Sequence, residues 1–195
     1  MGRWAPDARG RLEQAAMELY GERGFELTTV AEIAARAGLT ERTFFRHFDD
    51  KREVLFSGGS ALREFLVGHV DAQDPSVPPF EAVTAALGAA SDGFFEERRA
   101  GVRYRQAIIE ANPELQEREL IKLASLASAL AEALRRRGVA DPTAGLAAEA
   151  GMAVFRVAFE SWVHDEEGAP LSDRIRMSAD DLKRMTGGRQ QASRR

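Results

Sequence analysis

The sequence predicts an all-α fold. Apolar residues recur at three- and four-residue spacing through segments punctuated by proline and glycine. No segment sustains the two-residue alternation of a strand, and no Asn-Gly pair marks a hairpin. Within Thr28 to Lys51, TTVAEIAARAGLTERTFFRHFDDK, two short apolar-periodic segments meet at Gly38-Leu39-Thr40, and each opens with its own capping signal.

In chain order, residues 7–23 read as the first helix, with Leu12, Ala15, Ala16, Leu19 and Tyr20 on one face and a stop at Gly24. Residues 30–37 and 41–48 follow as two short helices. A longer helix is predicted from about Lys51 to Val70, and the proline-rich run from Asp74 to Pro79 ends it, because proline lacks the N–H a helix needs. Further helices are predicted over 80–98, 102–110, 113–137, 142–163 and 171–185. Pro113 and Pro142 sit near helix starts, where the missing N–H would have no partner anyway. Gly138 is a natural stop. The chain therefore divides into a three-helix head, 1–55, a helical body, 56–186, and a tail, 187–195, whose composition predicts disorder.

Composition excludes several classes. At 195 residues, 44% hydrophobic and 30% charged, the chain has ordinary values for a globular protein. Cysteine is absent, so neither a disulfide framework nor a thiolate metal site is available. No run reaches the roughly 18 apolar residues of a membrane span. The opening MGRWAPDARGRL carries charges where a secretory signal has an apolar core. A cytoplasmic protein is expected, with no membrane contact, metal or cofactor. The net charge of −4 is unevenly spread. Residues 1–55 hold nine basic and ten acidic side chains, and 183–195 hold five basic and no acidic ones. Residues 56–182 then hold thirteen basic against twenty-one acidic. Such a body attracts phosphate weakly at long range, so tight nucleic-acid binding needs a local basic cluster.

The segment from Thr28 to Lys51 offers that cluster. Thr29-Val30-Ala31-Glu32 fits a capping box, with Thr29 as N-cap and Glu32 reaching back. Thr40 can cap the second helix, and Gly38 supplies the backbone freedom of a sharp turn. Two helices joined this way form a helix-turn-helix, whose second helix fits a DNA major groove. On a wheel of about 100° per residue, Phe44 and Phe48 fall together and should pack against Ile33, Ala34, Ala16 and Leu19. Arg42, Thr43, Arg46 and His47 take the opposite arc and are left to face DNA. Arginine can bond a guanine edge through two donors, while threonine and histidine can donate to phosphate. Lys51, at the start of the next helix, and Thr29, at the start of the first, can each hold a phosphate oxygen. The competing reading makes Arg42 and Arg46 solvated partners of Glu41, Asp49 and Asp50, with the two aspartates also able to cap the following helix.

Here the chain resembles the tetracycline-repressor (TetR) family of bacterial transcription regulators. The resemblance rests on Gly24-Phe25, Thr28-Thr29-Val30, Ile33-Ala34, Ala37-Gly38-Leu39-Thr40, Thr43-Phe44-Phe45-Arg46-His47-Phe48 and Lys51. It implies a three-helix DNA-binding head and a helical body that dimerises and binds a small molecule. Thr29, Thr43, His47 and Lys51 match the family's DNA-contacting positions. Phe45 departs from the pattern, since the family usually has tyrosine there, and phenylalanine has no hydroxyl for a phosphate. The family's dimer is built from its last two long helices, and a palindromic operator requires heads about 34–36 Å apart.

The body carries matching expectations. Leu146, Ala150, Ala153, Val154, Val157 and Trp162 form a broad apolar and small-residue surface, read as dimer interface or as the core of a monomer. Phe65, Phe94, Phe95, Tyr104, Ile108, Leu123 and Phe155 are candidates to line an apolar cavity for an aromatic or acyl ligand, or plain core. Arg98, Arg99, Arg103 and Arg105 form either a solvated run or a greeting for phosphate or carboxylate at its mouth. The RTFFRHF…KREVLF run and ANPELQERELIKLASLASALAEAL resemble the mycofactocin-regulator group of the family, which implies an acyl-CoA-like effector. The resulting expectation is a repressor that binds double-stranded operator DNA as a homodimer and is released by a small molecule. In that scheme the helix starting at Lys51 transmits the change. The alternatives are a helical adaptor without a DNA role, or an enzyme. His47, His69 and His164 show no catalytic or metal spacing, and no phosphate loop or nucleophile elbow is present.

Overall fold

Capping chemistry starts the first three helices where the sequence predicts them. The computed structural model describes residues 7–165 and 168–187, and the part of the predicted tail beyond Gly187 lies outside the described residues. The Asp7 carboxylate accepts from the Gly10 amide at 2.7 Å and opens α1 (Ala8–Arg23). Thr29 and Glu32 form the full capping box of α2 (Val30–Arg36), and Thr40 caps α3 (Glu41–Phe45). Between them Gly38 takes φ +65°, a left-handed conformation that other residues adopt only under strain.

The helix predicted from Lys51 to Val70 is interrupted. A single 3-10 turn, Glu53–Phe56, stands there, and just before it Asp50 Oδ1 accepts from the Arg52 and Glu53 amides at 2.8 and 3.1 Å. The regular helix, α4, runs Gly59–Asp71. The adjacent Gly58-Gly59 pair favours a break there, because glycine loses the most backbone entropy in a helix. The remaining helices are α5 (Pro79–Phe94), α6 (Arg99–Glu110), α7 (Pro113–Arg136), α8 (Asp141–Val163) and α9 (Leu171–Thr186). Among the described residues there is no strand, and no helix is long and apolar enough to cross a membrane.

The chain divides into two compact units. The head unit comprises the described residues of Met1–Gly59 together with Tyr104–Leu120, which the sequence had assigned to the body. Its core gathers Leu12, Leu19, Phe25, Ile33, Phe44 and Phe48 with Ile109 and Leu115. Arg105 reinforces this layer. Its Nε donates to the Leu55 carbonyl at 2.5 Å, its guanidinium lies 5.0 Å from the Phe56 ring centre, and Glu119 is its ion-pair partner at 3.4 Å. Burial pulls the Arg105 pKa below the usual guanidinium value, and Glu119 opposes that shift.

The body unit comprises the described residues of Ser60–Arg103 and Ile121–Arg195. Leu66, Val83, Leu87, Leu130, Leu134, Phe155, Trp162, Leu171 and Ile175 share its core. Glu96 ties the core together: its Oε1 accepts from the Trp162 indole at 2.8 Å and from the Leu171 amide at 2.6 Å. Helices α5 and α8 approach closely at Gly151, where a Cβ would stand 2.3 Å from Val83 Cγ1.

Candidate nucleic-acid interface

The second helix of the helix-turn-helix, α3, presents two faces, as its wheel predicts. Phe44 and Phe48 are buried, 5.5 Å apart between ring centres. The Thr43 amide donates to Thr40 Oγ1 at 3.2 Å, which fixes the helix start. Regular helix ends at Phe45, but Arg46 keeps helical dihedrals. The His47 and Phe48 amides still donate to the Phe44 carbonyl, at 2.8 and 2.9 Å. The turn therefore carries Arg46 round to the face of Arg42.

Arg42 and Arg46 are exposed and, among the described residues, their side chains make no hydrogen bond or ion pair. The reading in which they pair with Asp50 is excluded, because Asp50 holds Arg52 at 2.5 Å. Burial alone would raise the Asp50 pKa, but the hydrogen bonds from Arg52 and the two amides outweigh it and hold the carboxyl below its usual value. Other acids of the head are also engaged. Arg36 takes Glu18 and Glu22 at 3.3 and 2.8 Å, Arg23 takes Glu32 at 2.8 Å, and Arg9 takes Glu13 at 3.1 Å. On this face, among the described residues, the Arg42 and Arg46 guanidiniums thus remain for an external acceptor. With Thr43 and Phe45 they line an open concavity of about 610 Å³.

Three of the residues expected to contact DNA are placed otherwise than the sequence suggests. Lys51 is not at a helix start, and its ammonium is engaged. Its Nζ donates to the carbonyls of Phe25, Glu26 and Thr28 at 2.8, 3.2 and 3.0 Å and stands 4.3 Å from the Phe25 ring centre. An ammonium has three donors, so none is left for phosphate. Thr29 likewise gives its one hydroxyl proton to Glu32 Oε2 at 2.7 Å, and the same oxygen accepts from the Thr29 amide at 2.9 Å. His47 has its Nε2 buried without a partner rather than turned outward. Thr40 is exposed, with its hydroxyl used in capping. Phe45, which departs from the family pattern by lacking a hydroxyl, is 54% exposed and lines the same concavity as Arg42, Thr43 and Arg46.

The expected body sites separate. Tyr104 and Ile108 belong to the head unit: the Tyr104 hydroxyl donates to the Met17 carbonyl at 3.2 Å, and Ile108 is buried in the head core. They are corrected from pocket residues to packing of the head. Phe65 and Phe94 meet at 5.4 Å, while Phe155 packs with Phe95 at 5.6 Å and stacks on Phe159 at 5.5 Å. Leu123 is half-buried against the same core. The arginine run does not act as one cluster. Arg99 donates to the Asp165 carbonyl at 2.6 Å and lies over Trp162, whereas Arg105 is committed to the head. On α8, Leu146 and Val157 are exposed and Ala150 and Ala153 half-buried. Val154 and Trp162 are buried at 4% and 0% exposure and leave the expected dimer surface for the core.

A capped helix-turn-helix with two unpaired arginines, carried with a separate helical body, defines the class: a DNA-binding regulator. Residues 13–57 match the bacterial regulatory proteins of the tetR family, and residues 77–187 match the MftR C-terminal domain. The chain belongs to the TetR family, which makes it a transcriptional regulator rather than an enzyme. It is 28% identical to a candidate mycofactocin biosynthesis transcriptional regulator, MftR, of Mycobacterium tuberculosis, over 85% of each chain. It is 36% identical to the HTH-type transcriptional regulator TcmR of Streptomyces glaucescens, over 45% of this chain and only 41% of TcmR. Among solved structures it resembles the Thermus thermophilus repressor FadR in complex with lauroyl-CoA. That match has a TM-score of 0.55 and 25% identity, covering 89% of this chain and 92% of FadR.

Proposed function

We propose that this protein is a cytoplasmic repressor that binds a palindromic operator as a homodimer and leaves it when an apolar or acyl ligand occupies the body. The observation that carries the DNA half of this reading is the pair of unpartnered guanidiniums, Arg42 and Arg46, on the exposed side of a helix whose other side is core. Two fork-shaped donor groups facing solvent suit guanine edges, each worth about 1–3 kcal/mol of discrimination.

The dimer reading rests on α8 and α9. Leu146, Ala150, Ala153 and Val157 follow one another at four, three and four residues, so they form one stripe. Its two large members are 73% and 62% exposed, and on α9 Met177 and Met185 are 63% and 82% exposed. A second copy of the same surface would cover this apolar area under two-fold symmetry. Leu146→Glu with Val157→Glu is expected to give a monomer by light scattering at micromolar concentration, and to weaken operator binding. A double variant that remains dimeric contradicts this interface.

The ligand reading rests on the aromatic side chains of the body, Phe65, Phe94 and Phe155 with Leu123, and on the likeness to MftR and to a FadR bound to lauroyl-CoA. Release requires that the ligand bind the DNA-free conformation more tightly, and the affinity ratio sets the extent of release. Saturating lauroyl-CoA is expected to raise the melting temperature and lower operator affinity. If both stay unchanged, the acyl-CoA class is wrong while the DNA reading stands.

A further inference from the structure

Phe45 is a large apolar side chain, 54% exposed, that lines one concavity with two unpaired cations, Arg42 and Arg46. Its ring is not loose, because it stands edge-on to the buried Phe44 at 5.5 Å and 82°. Its neighbours in the concavity are Arg42, Thr43 and Arg46. Whatever occupies this surface therefore presents hydrogen-bond acceptors and, beside them, an apolar group. A phosphate fails the second condition, and phenylalanine has no group that could bond one. The major groove meets both conditions: guanine offers its O6 and N7 acceptors, and the thymine C5-methyl is its apolar feature.

We propose that Phe45 is a specificity-determining residue that reads a thymine methyl, beside guanines bound by Arg42 and Arg46. The proposal rests on the DNA-binding reading above and extends it to the base recognised. Arg42 and Arg46 are four residues apart, a rise of about 6 Å, or roughly two base steps of 3.4 Å. A half-site with a thymine adjoining or lying between two guanines follows from that spacing.

The test begins with duplexes selected from a random library by the full-length protein. Deoxyuridine is then substituted for each thymine of the half-site, which removes only the methyl group. One thymine is expected to be sensitive, with affinity falling about four-fold, the value of one buried methyl-sized group. Phe45→Ala, checked for folding by its melting curve, should bind the thymine and uracil duplexes equally. If the wild type is indifferent at every position, or selects no thymine there, the assignment to Phe45 is wrong. Methyl discrimination that survives in Phe45→Ala also overturns it. Arg42→Ala and Arg46→Ala separate the two levels: if they leave affinity untouched, the whole reading face fails, not only Phe45.

Discussion

Replacing Arg42 and Arg46 together with alanine is expected to lower operator affinity by about 2–6 kcal/mol, roughly 30- to 20,000-fold. The loss should concentrate on the preferred sequence, with much less effect on unrelated duplex, because base contacts discriminate and phosphate contacts do not. Folding should be nearly unaffected. Neither side chain has a partner within the described residues, so truncation strands no buried group. A gel-shift or anisotropy titration against selected and scrambled duplexes, with a melting curve for each variant, checks both halves.

Lys51→Met is expected to act in the opposite way. Its ammonium holds three carbonyls of the turn between α1 and α2, and the Tyr20 hydroxyl donates to the Lys51 carbonyl at 2.6 Å. Methionine keeps the apolar stem but leaves those carbonyls without their shared donor. Hydrogen bonds from a charged group are worth about 1.5–3 kcal/mol each, and the three share one ammonium, so a loss of about 2–4 kcal/mol of stability is expected. Chemical unfolding followed by the melting temperature reads it. Where the variant remains folded, the dependence of DNA affinity on salt should match that of the wild type. A lysine bound to phosphate would instead reduce the slope by about one.

What the sequence made legible is local chemistry. Thr29 with Glu32, Thr40 with the Thr43 amide, and Gly38 act within a few residues, and the wheel separated Phe44 and Phe48 from Arg42 and Arg46 for the same reason. Lys51 was not legible, because its partners are backbone carbonyls 23 to 26 residues earlier, and a carbonyl leaves no mark on residue type. The recruitment of Tyr104–Leu120 into the head is likewise a tertiary choice. Apolar periodicity says that Ile108 and Leu115 are covered, but not by what. On α8 apolar and small residues cover most of the circumference, so periodicity could not separate Val154 and Trp162, which face the core, from Leu146 and Val157, which do not. The break at Gly58-Gly59 was visible in the sequence, yet the apolar pattern through Val54, Leu55 and Phe56 masked it.

Arg42 and Arg46 are proposed to read DNA, while Lys51 holds the turn between α1 and α2. The most direct test of this division compares the wild type, the double arginine variant and Lys51→Met on selected and scrambled duplexes over a range of salt. The double arginine variant should lose its preference for the selected duplex, and Lys51→Met should keep both that preference and the wild-type salt slope. Retained preference without the arginines, or a slope reduced by about one in a folded Lys51→Met, would contradict the account.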